Sequence, residues 1–277
     1  MRTSCFPNTY GRFGVQAALD LLPTAGIRWL ELPIKNAGMP SFFKEHPVAT
    51  DASTPELIFA LKERIAESGL QVSACNITSG NPLDPQVVER TLKKLTVASQ
   101  FGVDLVVGGG GEIEEESDWP TLIAHLREIA DRCQELGITY CCETHPGTCQ
   151  NSASMLEFLE RVDHPHLQIN FDTGNIFYYN ESPHLLAEMR SVAQHIKHVH
   201  LKDTGGIFKD WHFPALGAAG AVDFAAVRQF LEQIEYNGPC SLELEGIQGE
   251  PELSLEETHH RVVESVEHLK SCGWEVD

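Results

Sequence analysis

A short apolar run, a turn and a longer helical segment recur eight times along the chain. Arg2–Phe6, Ile27–Leu32, Leu70–Cys75, Val103–Val107, Thr139–Glu143, Leu167–Asp172, Ile196–Leu201 and Cys240–Glu245 read as strands. Between and after them, Val15–Leu22, Thr54–Ser68, Pro85–Gln100, Trp119–Leu136, Ser152–Arg161, Ser182–Gln194, Val222–Tyr236 and Leu255–Lys270 read as helices. Thr54-Pro55 and Ser182-Pro183 each place a capping hydroxyl before a proline suited to the first helical position. No linker or low-complexity stretch interrupts the series. The pattern predicts an α/β protein, one (β/α)8 TIM barrel spanning 1–277. An open doubly wound sheet is the alternative, and eight such units favour closure.

Charge narrows the function classes. Forty acidic residues against twenty basic ones give a formal net charge of -20. Nucleic acids and anionic membranes both require a basic footprint, so neither is an expected partner. Neutral sugars and divalent cations face no such repulsion. A homo-oligomer is compatible with the sequence. The first residues form no continuous apolar stretch, and no run approaches the roughly 20 residues that span a bilayer. The eight cysteines are scattered with no CxxC pair, which points to reduced thiols and a cytoplasmic location.

In such barrels the active site lies at the C-terminal ends of the strands. In Ile196–Leu201 and the Lys202-Asp203 that follows, Val199 and Leu201 share one face, and His198, His200 and Lys202 the other. If helices cover the Val/Leu face, the imidazoles point into the barrel. Leu167–Asp172 has Ile169 and Phe171 on its apolar face, and Cys240–Glu245 has Leu242 and Leu244. Glu143, Asp172, His200 and Glu243 therefore point inward from four successive strands. Each has a plain alternative, such as a helix cap for Glu143, a turn for Asp172 or a pair with Lys202 for Glu243. Three carboxylates and one imidazole at a barrel mouth are costly unless compensated. One divalent ion, Mn²⁺, Mg²⁺, Co²⁺ or Zn²⁺, with positions open for substrate oxygens, answers that cost. Glu245 shares the parity of Glu243 and competes with it as ligand. The run Gly108-Gly109-Gly110-Gly111 follows a strand, but Glu112 and Glu114-Glu115-Glu116 beside it argue against a phosphate cradle. It reads as a mobile loop near a sugar or cation site.

The stretches Glu143-Thr144-His145-Pro146-Gly147, Phe171-Asp172-Thr173-Gly174-Asn175, His198-Val199-His200-Leu201-Lys202-Asp203 and Gly238-Pro239-Cys240-Ser241-Leu242-Glu243-Leu244-Glu245 resemble the xylose isomerase-like TIM barrels, the sugar phosphate isomerase/epimerase superfamily. Leu216-Gly217 through Gly220-Ala221-Val222-Asp223-Phe224 also resembles that superfamily's lead-in to the seventh helix. The resemblance implies that Glu143, Asp172, His200 and Glu243 bind the metal. Many members carry histidine where this chain has Asn175, so Asn175 is placed beside the substrate rather than on the metal.

By resemblance, the chemistry is sugar isomerisation or epimerisation through an enediolate stabilised by a Lewis acid, with Glu143 and Glu243 moving the proton. His145, Lys202, Asn175 and Trp211 are the substrate-binding candidates, and Phe6 is a further stacking candidate. The expected substrate is a small unphosphorylated sugar or polyol. A dehydratase of the inosose or dehydroshikimate type is the alternative. An apurinic-site endonuclease needs more histidines and a basic face, and a non-catalytic barrel would not need all four ligand positions. The loop Thr204–Gly220, with glycines near both ends and Lys209-Asp210-Trp211-His212 at its centre, reads as a lid.

Overall fold

A computed structural model describes residues 1–276. Eight parallel strands close into a barrel: β1 (Arg2–Cys5), β2 (Trp29–Pro33), β3 (Gln71–Asn76), β4 (Leu105–Gly108), β5 (Thr139–Glu143), β6 (Leu167–Asp172), β7 (Ile196–Leu201) and β9 (Pro239–Leu242). Closure runs through β1, whose Arg2–Cys5 pair in register with Pro239–Leu242. A two-residue strand β8 (His212–Phe213) lies in the long loop after β7 and pairs antiparallel with β10 (Gly246–Ile247). The TIM-barrel expectation is met.

The covering helices are α1 (Gly14–Leu21), α2 (Pro55–Glu67), α3 (Pro85–Ser99), α4 (Trp119–Leu136), α5 (Ser152–Val162), α6 (Asn175–Tyr179), α7 (Leu185–Ser191), α8 (Phe224–Gln233) and α9 (Leu255–Ser271). Their starts follow side-chain capping. The Thr54 hydroxyl accepts from Leu57 N, Asp84 from Gln86 N and Asp223 from Ala226 N. Outward strand residues such as Leu30, Val199, Leu201 and Leu242 are fully buried under this layer. Each such Leu or Val contributes about 1.5–3 kcal/mol through burial. Inside the barrel, Ala74, Leu105 and Cys141 form a small apolar cluster. Cys141 has the same parity as Glu143, so this cluster floors the polar layer above it.

Three local expectations are corrected. The helix expected from Ser182-Pro183 is two pieces, and α7 begins at the cap His184, whose Nδ1 accepts from Ala187 N at 3.4 Å. Ser182 takes a left-handed φ of 50°, so it does not cap. The last barrel strand stops at Leu242 rather than Glu245, because Leu244 N donates to Thr9 Oγ1 at 3.0 Å and turns the chain out of the ladder. The glycine run is a packing device: a Cβ at Gly110 would sit 2.7 Å from Cys149 Sγ and 2.8 Å from Thr148 Oγ1. The cavity at the strand ends is not lined by this run.

No helix among the described residues is long and apolar enough to cross a membrane. All eight cysteines are free thiols, seven of them buried.

Candidate metal centre

The period-two arithmetic of the strands brings Glu143, Asp172, His200 and Glu243 together. One ligand atom from each lies within 4.8 Å of the others. His200 Nδ1 is 3.0 Å from Glu143 Oε1, 3.1 Å from Glu243 Oε2 and 3.9 Å from Asp172 Oδ2. Asp172 is held from behind, since its Oδ1 accepts from Gly174 N and Asn175 N, each at 2.8 Å. Glu243 sits just beyond β9, fixed by its own N–H on Leu201 O at 3.0 Å.

Lys202 approaches the same Asp172 and Glu243 oxygens as His200. Its ammonium lies 2.8 Å from Glu243 Oε2, 3.1 Å from Asp172 Oδ2, 3.0 Å from Glu245 Oε2 and 3.2 Å from Asn175 Oδ1. The lysine stem passes over Gly174, where a Cβ would meet Lys202 Cγ at 2.6 Å. Despite the short distances, Asp172 Oδ2 and Glu243 Oε2 receive no directed hydrogen bond. Two buried carboxylate oxygens without a donor are costly.

Charge sharpens the same point. Five carboxyl groups, Glu31, Glu143, Asp172, Glu243 and Glu245, converge on two basic side chains, His200 and Lys202. Burial pushes Asp172 upward against the pull of Lys202. Burial also acts on Glu143 and Glu243, but nearby cations outweigh it and hold both below the usual carboxylate range, His145 and His200 for Glu143 and Lys202 and His200 for Glu243. Burial and the charge of Glu243 raise Glu245 to about 7. Burial would lower His200 and Lys202, yet the surrounding carboxylates hold both well above their ordinary values. A hard-oxygen set with one imidazole, excess negative charge and two donorless oxygens fits one divalent cation.

A cavity of about 410 Å³ opens onto the cluster. Phe6, His145, Asn175, Lys202, Trp211 and Glu245 are all on its wall. Phe6 stacks on the His200 ring, with centroids 5.8 Å apart and planes 12° apart. His145 Nδ1 stands 3.6 Å from Glu143 Oε2 and is half exposed. Trp211 donates its indole N–H to Glu245 O at 3.3 Å and meets Phe42 at 6.0 Å between centroids. The expected substrate-binding residues thus share one cavity with Glu143 and Glu243, while Asp172 and His200 are fully buried and off its wall. Glu245 contacts Lys202 and lies outside the four-residue cluster that contains Glu243.

Sequence reasoning passed over Glu31, a fully buried carboxylate in β2. Both its oxygens face His200 Nε2, at 3.1 and 3.0 Å. The signal was present, since Leu30 and Leu32 flank it as Val199 and Leu201 flank His200. Phe42, Phe43, Asn76 and Tyr179 on the cavity wall were also missed. Phe42 and Phe43 come from an irregular segment and Tyr179 from the five-residue α6, whereas Asn76 ends β3 on the same parity as Ala74.

A family model described as xylose isomerase-like TIM barrel matches residues 19–272. The chain belongs to the xylose isomerase-like TIM-barrel family. Among solved structures of this fold, a xylose isomerase domain protein from Planctomyces limnophilus superposes with a TM-score of 0.76 at 20% identity, covering 99% of this chain and 98% of that one. A D-psicose 3-epimerase from Clostridium cellulolyticum H10, solved with D-tagatose, gives 0.74 at 14% identity, covering 98% and 99%. An inosose dehydratase from Geobacillus kaustophilus (strain HTA426) is 27% identical over 151 residues, 47% of this chain and 46% of that protein. The match thus spans about half the length of that curated relative.

Proposed function

We propose that the whole chain, 1–277, is one metal-dependent isomerase or epimerase domain acting on a small, unphosphorylated sugar or polyol ketone. The observation that carries this reading is the pair Glu143 and Glu243. They approach His200 Nδ1 from strands separated by β6 and β7, at 3.0 and 3.1 Å, and both line the cavity. Glu143, Asp172, His200 and Glu243 would hold one divalent ion, which when bound would supply Lewis-acid stabilisation of negative charge on substrate oxygens. Both glutamates are held low, so each is ionised and able to act as a base near neutral pH. Glu243 is tied to Lys202, whereas Glu143 faces only imidazoles, so Glu143 is the stronger candidate for the first proton removal. For epimerisation, Glu243 first takes a proton from the Lys202 ammonium 2.8 Å away and gives it to the opposite face of the reacting carbon, while Glu143 loses its proton to solvent. For isomerisation the protonated Glu143, after exchange with solvent, gives a proton to the neighbouring carbon.

The aromatic wall of Phe6, Trp211 and Tyr179 suits the C–H face of a sugar ring. Both lysines on the wall are neutralised, Lys35 by Glu45 at 2.9 Å and Lys202 as described. Neither is free to bind a phosphate, which supports an uncharged substrate.

Dehydration is the second reading, favoured by Glu245 beside Lys202. A carboxyl held at about 7 carries a proton for part of the time at neutral pH and stands on the cavity wall. In that reaction Glu143 takes the C–H proton, the β C–O bond breaks, and the departing hydroxyl takes a proton from Glu245 or Lys202 and leaves as water. The similarity to inosose dehydratase supports the same alternative.

Turnover of a panel of ketoses and inososes in D₂O separates the two. Isomerisation or epimerisation incorporates one deuterium at the reacting carbon, seen by NMR, with no loss of mass as water. A product one H₂O lighter selects the dehydratase. Absence of any C–H exchange across the panel by the metal-loaded protein contradicts both.

A further inference from the structure

The two ring nitrogens of His200 serve different neighbours. Nδ1 faces Glu143 and Glu243 across the cluster, while Nε2 sits between the two oxygens of Glu31. Glu31 comes from β2, remote in the barrel from β7, so only closure of the sheet brings the two together. Asn76 Nδ2 braces Glu31 by donating to Oε1 at 3.2 Å, and Phe6 stacks on the imidazole face. A neutral imidazole carries one N–H. With a carboxylate against Nε2, that hydrogen stays on Nε2 and the Nδ1 lone pair points into the cluster.

Glu31, His198 and His200 also lie close enough together to be considered as a second cation site. Their partners argue otherwise. His198 Nδ1 pairs with Asn170 Oδ1 at 2.9 Å and its Nε2 with Ser241 Oγ at 3.3 Å, which leaves no free donor atom on that ring.

We propose that Glu31 is a positioning residue for the metal centre, fixing the tautomer and ring orientation that let His200 bind through Nδ1. This rests on the metal-site reading above. Glu31 touches neither the substrate cavity nor the four-residue cluster except through His200.

The test is the Glu31→Gln variant, which keeps volume and hydrogen-bonding capacity but removes the charge. Co²⁺ binding to the metal-free protein is followed by isothermal titration calorimetry and by the visible d–d spectrum. The inference expects affinity to fall about 10- to 100-fold and the cobalt bands to shift, because the imidazole donor is altered. Asp172→Ala, measured alongside, tests the site itself and should bind no stoichiometric cobalt. If Asp172→Ala loses cobalt while Glu31→Gln binds within twofold of wild type with an unchanged spectrum, the role of Glu31 is overturned. If Asp172→Ala binds normally, the metal site fails and this inference fails with it. Should Glu31→Gln not fold, Asn76→Ala removes the brace on Glu31 along with a cavity-wall amide, and cobalt affinity, which does not depend on substrate contact, is the measure. A severalfold weaker affinity then supports the inference, and an unchanged affinity overturns it.

Discussion

The proposed proton transfer turns on Glu143 and Glu243, two of four side chains that face one another at the barrel mouth. Glu143, Asp172, His200 and Glu243 each interrupt an apolar alternation, so period two alone aims them at one another. Glu31 obeys the same rule between Leu30 and Leu32, but its meaning depends on a partner in β7 that no local pattern reveals. Glu143→Gln and Glu243→Gln should each lower kcat by about 10²- to 10⁴-fold, with KM changing much less. A large loss in only one of them would fit dehydration, in which a single base suffices. Lys94 offers a test outside the site. It is buried on α3 with its amine on Thr78 O at 2.8 Å and Ile77 O at 3.4 Å, and burial lowers it to about 7. Between pH 7 and its ordinary value of 10.5 the unfolded chain binds the extra proton, so this group's contribution to stability rises with pH over that window. The Tm of wild type should therefore gain on that of Lys94→Met as pH is raised from 7 to 10. A pH-independent difference would show that the folded state leaves the Lys94 amine at its ordinary value and protonated across this window.

Element boundaries were less readable than element types. Ser182-Pro183 has the composition of a helix start, yet Ser182 is left-handed and the cap falls two residues later on His184. Tertiary contact decides there, because Asn180 Nδ2 is already donating to Gln150 O and Ile176 O. The loop after β7 also shows more order than its composition suggests. Asp203, fully buried, accepts from Gly217 N, Ala219 N and Gly220 N at 2.8, 3.1 and 3.2 Å, binding the loop's end to its beginning. Its centre is pinned by β8 on β10 and by Lys209 N on Tyr178 O. The segment covers the cavity as a strapped wall, with Trp211 as its contact. Trp211→Ala should raise KM about 3- to 10-fold through loss of aromatic contact, with kcat and metal content held. An unchanged KM would make Trp211 a loop-packing residue only. Asp203→Ala should release the strap, seen as new protease cleavage within 204–220. Resistance equal to wild type would assign the loop's order to its other contacts.

At the scale of the molecule, closure of the barrel turns eight separate strand ends into one site. The eightfold alternation made the architecture legible, and parity made His200 and three of the four buried carboxylates around its ring nitrogens legible. What stayed hidden were contacts across the barrel, Glu31 with His200 and Phe42 with Trp211, which exist only once the sheet is a ring. The same closure concentrates negative charge at the barrel mouth, so a cation that binds only the folded state should raise Tm with its concentration. The most direct measurement is metal content by mass spectrometry on the purified protein after dialysis against Mn²⁺, with circular dichroism as the check on folding. Wild type should hold one divalent ion per chain and Asp172→Ala none, with superimposable spectra. Equal metal content in the two folded proteins would contradict a centre built from Glu143, Asp172, His200 and Glu243.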